Sequence, residues 1–288
     1  MARDDTRTGL ALVLPLIILE FVVALYPMGY SFWLSIHNAG LIGGIQQYVG
    51  LANYAKVFTD PFVVDATMVS LRFVAEVVAL VFFIGMGLAL LLNEPLPGRS
   101  FLKVIIIIPW ALSEFAMAIA GRFFLDSGYG FLNSILLDLH LEKYGFLFLD
   151  QQNSVEWMSI FYAWNFAPIG AFFILSSLQT IPEDLYKAAK MDGASIFSRF
   201  RKVTFPYVRY SVLITLVLAT IQAAGSVVTA FTLTGGGPGN ASEPITLYAF
   251  TVFFDEGNYG YGSAISWLTL ACIAVATTSY FLLLARRK

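Results

Sequence analysis

The sequence predicts an all-α, polytopic membrane protein with six transmembrane helices and one cytoplasmic helix–turn–helix between two of them. Three observations carry this. Of 288 residues, 58% are hydrophobic and only 12% charged, where a soluble domain has about 25% charged; mean hydropathy is +0.74. Six apolar runs, 9–36, 67–92, 102–124, 157–180, 207–233 and 262–285, are each long enough to cross the ~30 Å hydrocarbon core, which takes about 20 helical residues. A charge-rich amphipathic segment, 182–206, interrupts this pattern between the fourth and fifth runs. No soluble domain, internal repeat or low-complexity tail is evident, so residues 1–288 read as a single transmembrane domain.

The first run is too long for a cleaved signal peptide and is expected to stay as a span. Orientation follows from basic residues, which favour the cytoplasmic side. With the N-terminus inside, the inner segments hold Arg3, Arg7, Arg99, Lys103, Lys187, Lys190, Arg199, Arg201, Lys202, Arg209, Arg286, Arg287 and Lys288, whereas the outer ones hold Lys56 and Lys143. Arg72 and Arg122 sit near the outer ends of spans, where long side chains can snorkel. Thirteen against two puts both termini and the 182–206 segment in the cytoplasm.

The outer segments differ in kind. Residues 38–66 contain a short surface helix over YVGLANYAKVF. Residues 125–156 are acidic, with Asp126, Asp138, Glu142, Asp150 and Glu156. Residues 234–261 open on Gly235-Gly236-Gly237-Pro238-Gly239, which must be a turn, and 245–254 is too short to span, which suggests a helix partly re-entering the outer face.

Catalytic chemistry is not written into this chain. No Gly-x4-Gly-Lys-Ser/Thr phosphate loop occurs, no nucleophile or acid–base cluster appears, and His37, His140 and Cys272 are isolated. No metal-ligand cluster is present, and the lone apolar cysteine reads as a small packing residue. Three acids fall inside spans: Glu20, Glu76 and Glu114. Glu76 is one turn from Arg72, so a structural ion pair is expected; Glu114 follows Pro109 by five residues and can border a polar chamber; Glu20 is mid-span. An ion-coupled secondary transporter would use such acids as proton carriers, but it has no need of an amphipathic cytoplasmic helix.

That segment is built as two helices. Pro182 suits a first helical position, Glu183 and Asp184 favour the positive end of the dipole, Gly193 can end the helix and turn the chain, and Ser195 can cap a second helix. Lys187-Ala188-Ala189, three residues, Gly193, nine residues and Val203-Thr204-Phe205-Pro206 resemble the cytoplasmic "EAA" loop of ABC importer membrane subunits. Both spacings are kept; Lys187 replaces the glutamate of that pattern. Further motifs, in order, resemble the sugar-importer branch, which includes maltose, trehalose and glycerol-3-phosphate importers: Tyr26-Pro27-Met28-Gly29-Tyr30, Val49-Gly50-Leu51-Ala52-Asn53-Tyr54, Ile108-Pro109-Trp110, Thr234-Gly235-Gly236-Gly237-Pro238 and Tyr259-Gly260-Tyr261-Gly262.

The resemblance implies a permease that passes a carbohydrate, a di- or oligosaccharide, through the inner membrane. It implies as partners a second homologous permease, two ATP-binding subunits, an extracytoplasmic sugar-binding protein and membrane lipid, with no nucleic acid. ATP and Mg would be used by the partner ATPase, and no cofactor would be bound by this chain. Ala188, Ala189, Asp192 and Gly193 would contact that ATPase. For the substrate pathway it points to Trp164, Asn165, Phe166 and Ile169 in the fourth span, where an aromatic face beside an amide suits a sugar, and to Gln222 and Ser226, four apart on one face of the fifth, with Thr220 and Thr229 nearby. The competing reading of the same residues is hydrogen bonding between helices. Within the ABC class, a glycerol phosphate or other non-sugar solute is the alternative.

Overall fold

The protein is described from a computed structural model covering residues 12–141 and 145–285. Arg3, Arg7, Glu142, Lys143, Arg286, Arg287 and Lys288 lie outside the described residues. Helices dominate: α1 (Leu12–Ser35), α2 (Ala52–Val57), α3 (Pro61–Asn93), α4 (Arg99–Ala111), α5 (Glu114–Phe124), α6 (Phe131–Asp138), α7 (Ser154–Leu178), α8 (Glu183–Met191), α9 (Ile196–Gly225), α10 (Val228–Leu233), α11 (Ile245–Asp255) and α12 (Tyr259–Ala285). Among the described residues five helices, α1, α3, α7, α9 and α12, are long and apolar enough to cross a membrane, or six if α4 and α5, which pass the same test only together, are taken as one bent span.

Several sequence expectations are refined. The third run is not one rod: α4 and α5 meet at 91°, where Leu112, just past α4, turns extended at φ −73°, ψ 140° and Ser113 caps a new helix by accepting from the Ala116 N–H at 3.2 Å; Pro109 is accommodated inside the last turn of α4. The fifth run ends at Gly225 and restarts at Val228. The second helix of the 182–206 segment runs unbroken into the fifth span as α9. Pro182 is the residue ahead of α8, with extended backbone, rather than its first turn. Proline is absorbed by widening: π-turns at Phe21–Leu25 and Phe200–Thr204 precede Pro27 and Pro206, whose rings would strike the carbonyl four residues back in a regular helix.

Two compact units divide the chain, one holding residues 12–63 and 248–270, the other 64–247 and 271–285. In the first, residues 37–48 form an antiparallel hairpin, His37–Gly40 with Gly44–Tyr48, that alternation did not reveal. The Asn53 amide donates to the carbonyls of Ser35 and His37 at 2.9 and 3.0 Å, and Tyr54 shares a hydrogen bond with Ser35. Gly260 is required by approach: a Cβ there would lie 2.3 Å from the His37 carbonyl. Asp60 caps α3 through the Phe62 N–H and accepts from Tyr248 and Tyr261 at 3.0 and 2.6 Å, with Lys56 over the Tyr261 ring. Partial burial pushes the Asp60 carboxyl up, but the hydrogen bonds from Tyr261, Tyr248 and Phe62, with Lys56, outweigh it and hold it below its ordinary value.

In the second unit, α7 is the most enclosed span. Ala163, Ala167, Ala171 and Ile174 are fully buried, as are Val77, Val81 and Ala89 of α3 and Val208 and Ala219 of α9. Small residues let the helices close up, as in other membrane bundles. A Cβ at Gly85 of α3 would lie 3.5 Å from the Ala167 carbonyl, and one at Gly170 of α7 would lie 2.6 Å from Thr215 Cγ2 of α9. Thr215 is pinned by its own bond to the Ser211 carbonyl, so it cannot swing away freely. Gly170→Val is therefore expected to destabilise the isolated chain by about 1–3 kcal/mol, read as a lower thermal midpoint in detergent. Gly87→Val, where no described residue lies within 4 Å of the added Cβ, should leave the midpoint nearly unchanged.

At the upper end of α3, Arg72 bonds Glu76 at 3.0 Å, also pairs with Glu156, and reaches the Gln152 carbonyl. Glu76 is thus an ion-pair member, as its spacing predicted. Asp126 accepts from the N–H groups of Gly128 and Tyr129, which hold its carboxyl below the usual value.

Candidate functional site

Both candidate regions lie in the second unit. The first is the pair of helix breaks. Irregular backbone at membrane depth is tolerated only where protein or a water-filled cavity satisfies it, so its hydrogen bonds need accounting. At the α4–α5 bend, the Asn165 amide donates to the carbonyls of Pro109 at 2.5 Å and Leu112 at 3.3 Å. Asn165 stands on α7 three residues before Pro168, which has no N–H and leaves the Trp164 carbonyl without its helical donor.

At the α9–α10 break, Ser226 is extended, with φ −72° and ψ 129°. Its hydroxyl donates to Glu114 Oε1. The same oxygen accepts from the Thr229 N–H at 2.9 Å and the Thr229 hydroxyl at 2.7 Å. Glu114 thus caps α10 from another helix, since Val227, the residue before it, offers no side-chain acceptor. The Thr246 hydroxyl donates to the Ser226 carbonyl at 2.8 Å, and the Ser70 hydroxyl accepts from the Ile245 N–H. One linked set of polar groups therefore joins α7, the α4–α5 bend, the α9–α10 break and the start of α11.

The expected pathway residues divide around this set. Asn165 and Ser226 have their side chains engaged by protein in this conformation. Trp164 is 46% exposed, Gln222 is exposed one turn before Ser226, Phe166 stacks on Tyr162, and Ile169 is half-buried. Glu114 and Thr229 matter more here than the sequence alone assigned. The available signal was Leu112-Ser113-Glu114, a helix start inside an apolar run. Glu20 is exposed on α1.

The second region is the helix–turn–helix of residues 182–206. At the end of α8, the Gly193 N–H bonds the Lys190 carbonyl and the Ala194 N–H bonds the Ala189 carbonyl, the paired bonds of a Schellman ending. Gly193 has φ +71°, as that ending requires. Ser195 then caps α9 by accepting from Ser198 N–H at 3.3 Å. Tyr186 bonds Thr204 at 2.9 Å and ties α8 to α9. Behind this lies a cavity of about 420 Å³ lined by Asn93, Glu94, Tyr186, Lys190, Arg199 and Thr204, among others. Lys187 pairs with Asp184 and Glu183 of its own helix. Ala188, Asp192 and Gly193 are exposed and Ala189 half-buried. Around them Met191, Ile196 and Phe197 are 88%, 78% and 74% exposed, an apolar rim that calls for a partner.

Residues 81–288 match the family described as binding-protein-dependent transport system inner membrane component. The chain is 34% identical to the trehalose/maltose transport system permease protein MalF of Thermococcus litoralis, over 96% of this chain and 93% of the relative. It is 29% identical to the sulfoquinovosyl glycerol transport system permease protein SmoG of Agrobacterium fabrum, over 99% and 92%. It is 30% identical to the trehalose transport system permease protein SugA of Mycobacterium tuberculosis, over 94% and 86%. Among solved structures, a bacterial ABC transporter involved in import of the acidic polysaccharide alginate superposes with TM-score 0.80 at 20% identity, covering 99% of this chain and 98% of that one. A second structure, of the alginate transporter with an alginate pentasaccharide-bound periplasmic protein, gives 0.81 at 20%, over 96% and 94%. At that identity the likeness is one of fold.

Proposed function

This chain belongs to the family of binding-protein-dependent transport system inner membrane components, and from that premise we propose that it forms half of the translocation pathway of an ATP-driven carbohydrate importer. The solute is a di- or oligosaccharide, in line with the trehalose/maltose and trehalose relatives. The other half is a second, homologous permease. Two ATP-binding subunits dock on the inner side, and an extracytoplasmic sugar-binding protein delivers solute from outside, as the complex of the fold neighbour suggests. The chain itself is a transport subunit and not an enzyme; ATP and Mg belong to the partner ATPase.

The observation that carries the reading is the exposed corner at Gly193, joined by one helix to the polar breaks. The ATPase would seat on Ala188, Ala189, Asp192 and Gly193 within the Met191, Ile196 and Phe197 rim. The Tyr186–Thr204 bond makes α8 move with α9. α9 then runs 30 residues from that corner to Gly225, about 45 Å of continuous helix. Movement of the corner would reach the Ser226 break without being lost in a flexible joint. The pathway residues are Trp164, Asn165, Phe166, Ile169, Gln222 and Ser226, with Trp164 and Gln222 offering the open ring and amide.

This reading sets the corner on the cytoplasmic side together with both termini. A cysteine introduced at Ser195, in a Cys272→Ser background, should resist a membrane-impermeant thiol reagent in intact cells and react once the cells are opened. Labelling from outside intact cells would reverse the orientation. The corner's role is checked by purifying the complex with its ATPase and measuring whether the ATPase stays bound.

A further inference from the structure

We propose that Glu114 is the specificity-determining residue of the pathway: it makes the passage accept neutral, hydroxyl-rich solutes and reject anionic ones. The inference rests on the carbohydrate reading above and deepens it. The fold does not choose the charge of the solute, since one fold neighbour is involved in the import of an acidic polysaccharide.

The geometry assigns the two carboxylate oxygens different tasks. Oε1 is fully used: it accepts from the Ser226 hydroxyl, the Thr229 N–H and the Thr229 hydroxyl. Three donors on one oxygen fix the side chain against the α9–α10 break. Oε2 accepts no hydrogen bond from the described residues and is not among the buried atoms lacking partners, so it stays accessible. No lysine or arginine pairs with Glu114 among the described residues, so its charge is not neutralised locally. An accessible carboxylate oxygen at this depth cannot be left facing lipid. It must face a watery cavity or another protein surface.

Its neighbours make the cavity the better fit. The Asn165–Leu112 bond brings α7 to the bend two residues before Glu114, with exposed Trp164 next in sequence to Asn165. Gln222 stands one helical turn before Ser226, which Glu114 holds. An aromatic face, an open amide and an acceptor-only oxygen are the groups that recognise a sugar: the ring covers C–H, and the carboxylate accepts from adjacent hydroxyls. The same oxygen repels a carboxylate, sulfonate or phosphate on the solute. Ser226, whose hydroxyl is spent on Glu114, acts as a positioning residue rather than a direct sugar contact.

The test measures weak binding directly to the purified complete complex, without its binding protein, by saturation-transfer difference NMR. The probes are a neutral disaccharide, maltose or trehalose, and the same sugar oxidised to a carboxylate at C6. Wild type should bind the neutral probe at least about tenfold more tightly than the carboxylate, the size of one charge repulsion in a partly desolvated site. Glu114→Gln keeps an acceptor at the clasp and removes the charge; it should bring the two affinities to within about threefold by strengthening the carboxylate. Equal binding of both probes by wild type would overturn the proposal without any variant. So would unchanged discrimination in Glu114→Gln that still purifies as an intact complex. Binding of neither probe by wild type would overturn the carbohydrate reading beneath it, which separates the two failures.

Discussion

Gly193→Asp and Ala189→Glu are each expected to yield a membrane complex that assembles but no longer couples. No described residue lies within 4 Å of a Cβ added at Gly193, and aspartate tolerates the left-handed backbone found there better than most residues. The chain itself should therefore absorb the change. A defect would come from what sits outside the corner, where a new charge enters an apolar rim. Substitution at the centre of an interface costs about 2 kcal/mol or more, enough to lower ATPase retention by roughly 30-fold on the scale of 1.4 kcal/mol per tenfold. Gly193→Val adds strain at φ +71° and should also lower the thermal midpoint of the chain. Full ATPase retention with normal stimulation by loaded binding protein in both charged variants would remove the corner from the coupling path.

Asn165→Ala and Gln222→Ala are expected to impair transport for different reasons. Asn165 holds the Pro109 and Leu112 carbonyls at the bend, so its loss leaves acceptors unmet at about 1–3 kcal/mol. That variant should lose both thermal stability and most uptake while still inserting. Gln222 is exposed and engaged with no described residue, so Gln222→Ala should leave stability alone. Loss of one hydrogen bond to a sugar hydroxyl, about 0.5–1.5 kcal/mol net, should weaken uptake by roughly two- to tenfold. Normal uptake in Gln222→Ala would take it out of the pathway, and an unchanged thermal midpoint in Asn165→Ala would deny that the bend depends on it.

The elements legible in the sequence were those written locally. The Gly193 corner, the Ser195 cap and the Arg72–Glu76 pair each depend on residues within five positions of one another, and the structure has all three. The short α2 and the glycine turn are equally local, the latter with positive φ at Gly235, Gly236 and Gly239. The breaks within spans were harder. Apolar composition says where a chain avoids water and says little about whether it bends on the way. The carbonyls freed at the α4–α5 bend are met by an amide more than fifty residues along the chain. The α9–α10 break is capped by an acid 112 residues away from Ser226. No local window contains both halves of such a contact. The hairpin at 37–48 was missed because its strands, His-Asn-Ala-Gly and Gly-Ile-Gln-Gln-Tyr, lack the apolar alternation that marks a half-buried strand. It is held instead by Asn53 and by the close approach of Gly260.

Uptake of a labelled neutral disaccharide into proteoliposomes holding the complete complex tests the central claim most directly. The driving force is varied at fixed sugar: ATP inside with loaded binding protein outside, or a proton gradient without ATP. The account predicts accumulation that needs both ATP and the binding protein, and none with the proton gradient alone. Accumulation driven by the proton gradient, with ATP and binding protein absent, would contradict it.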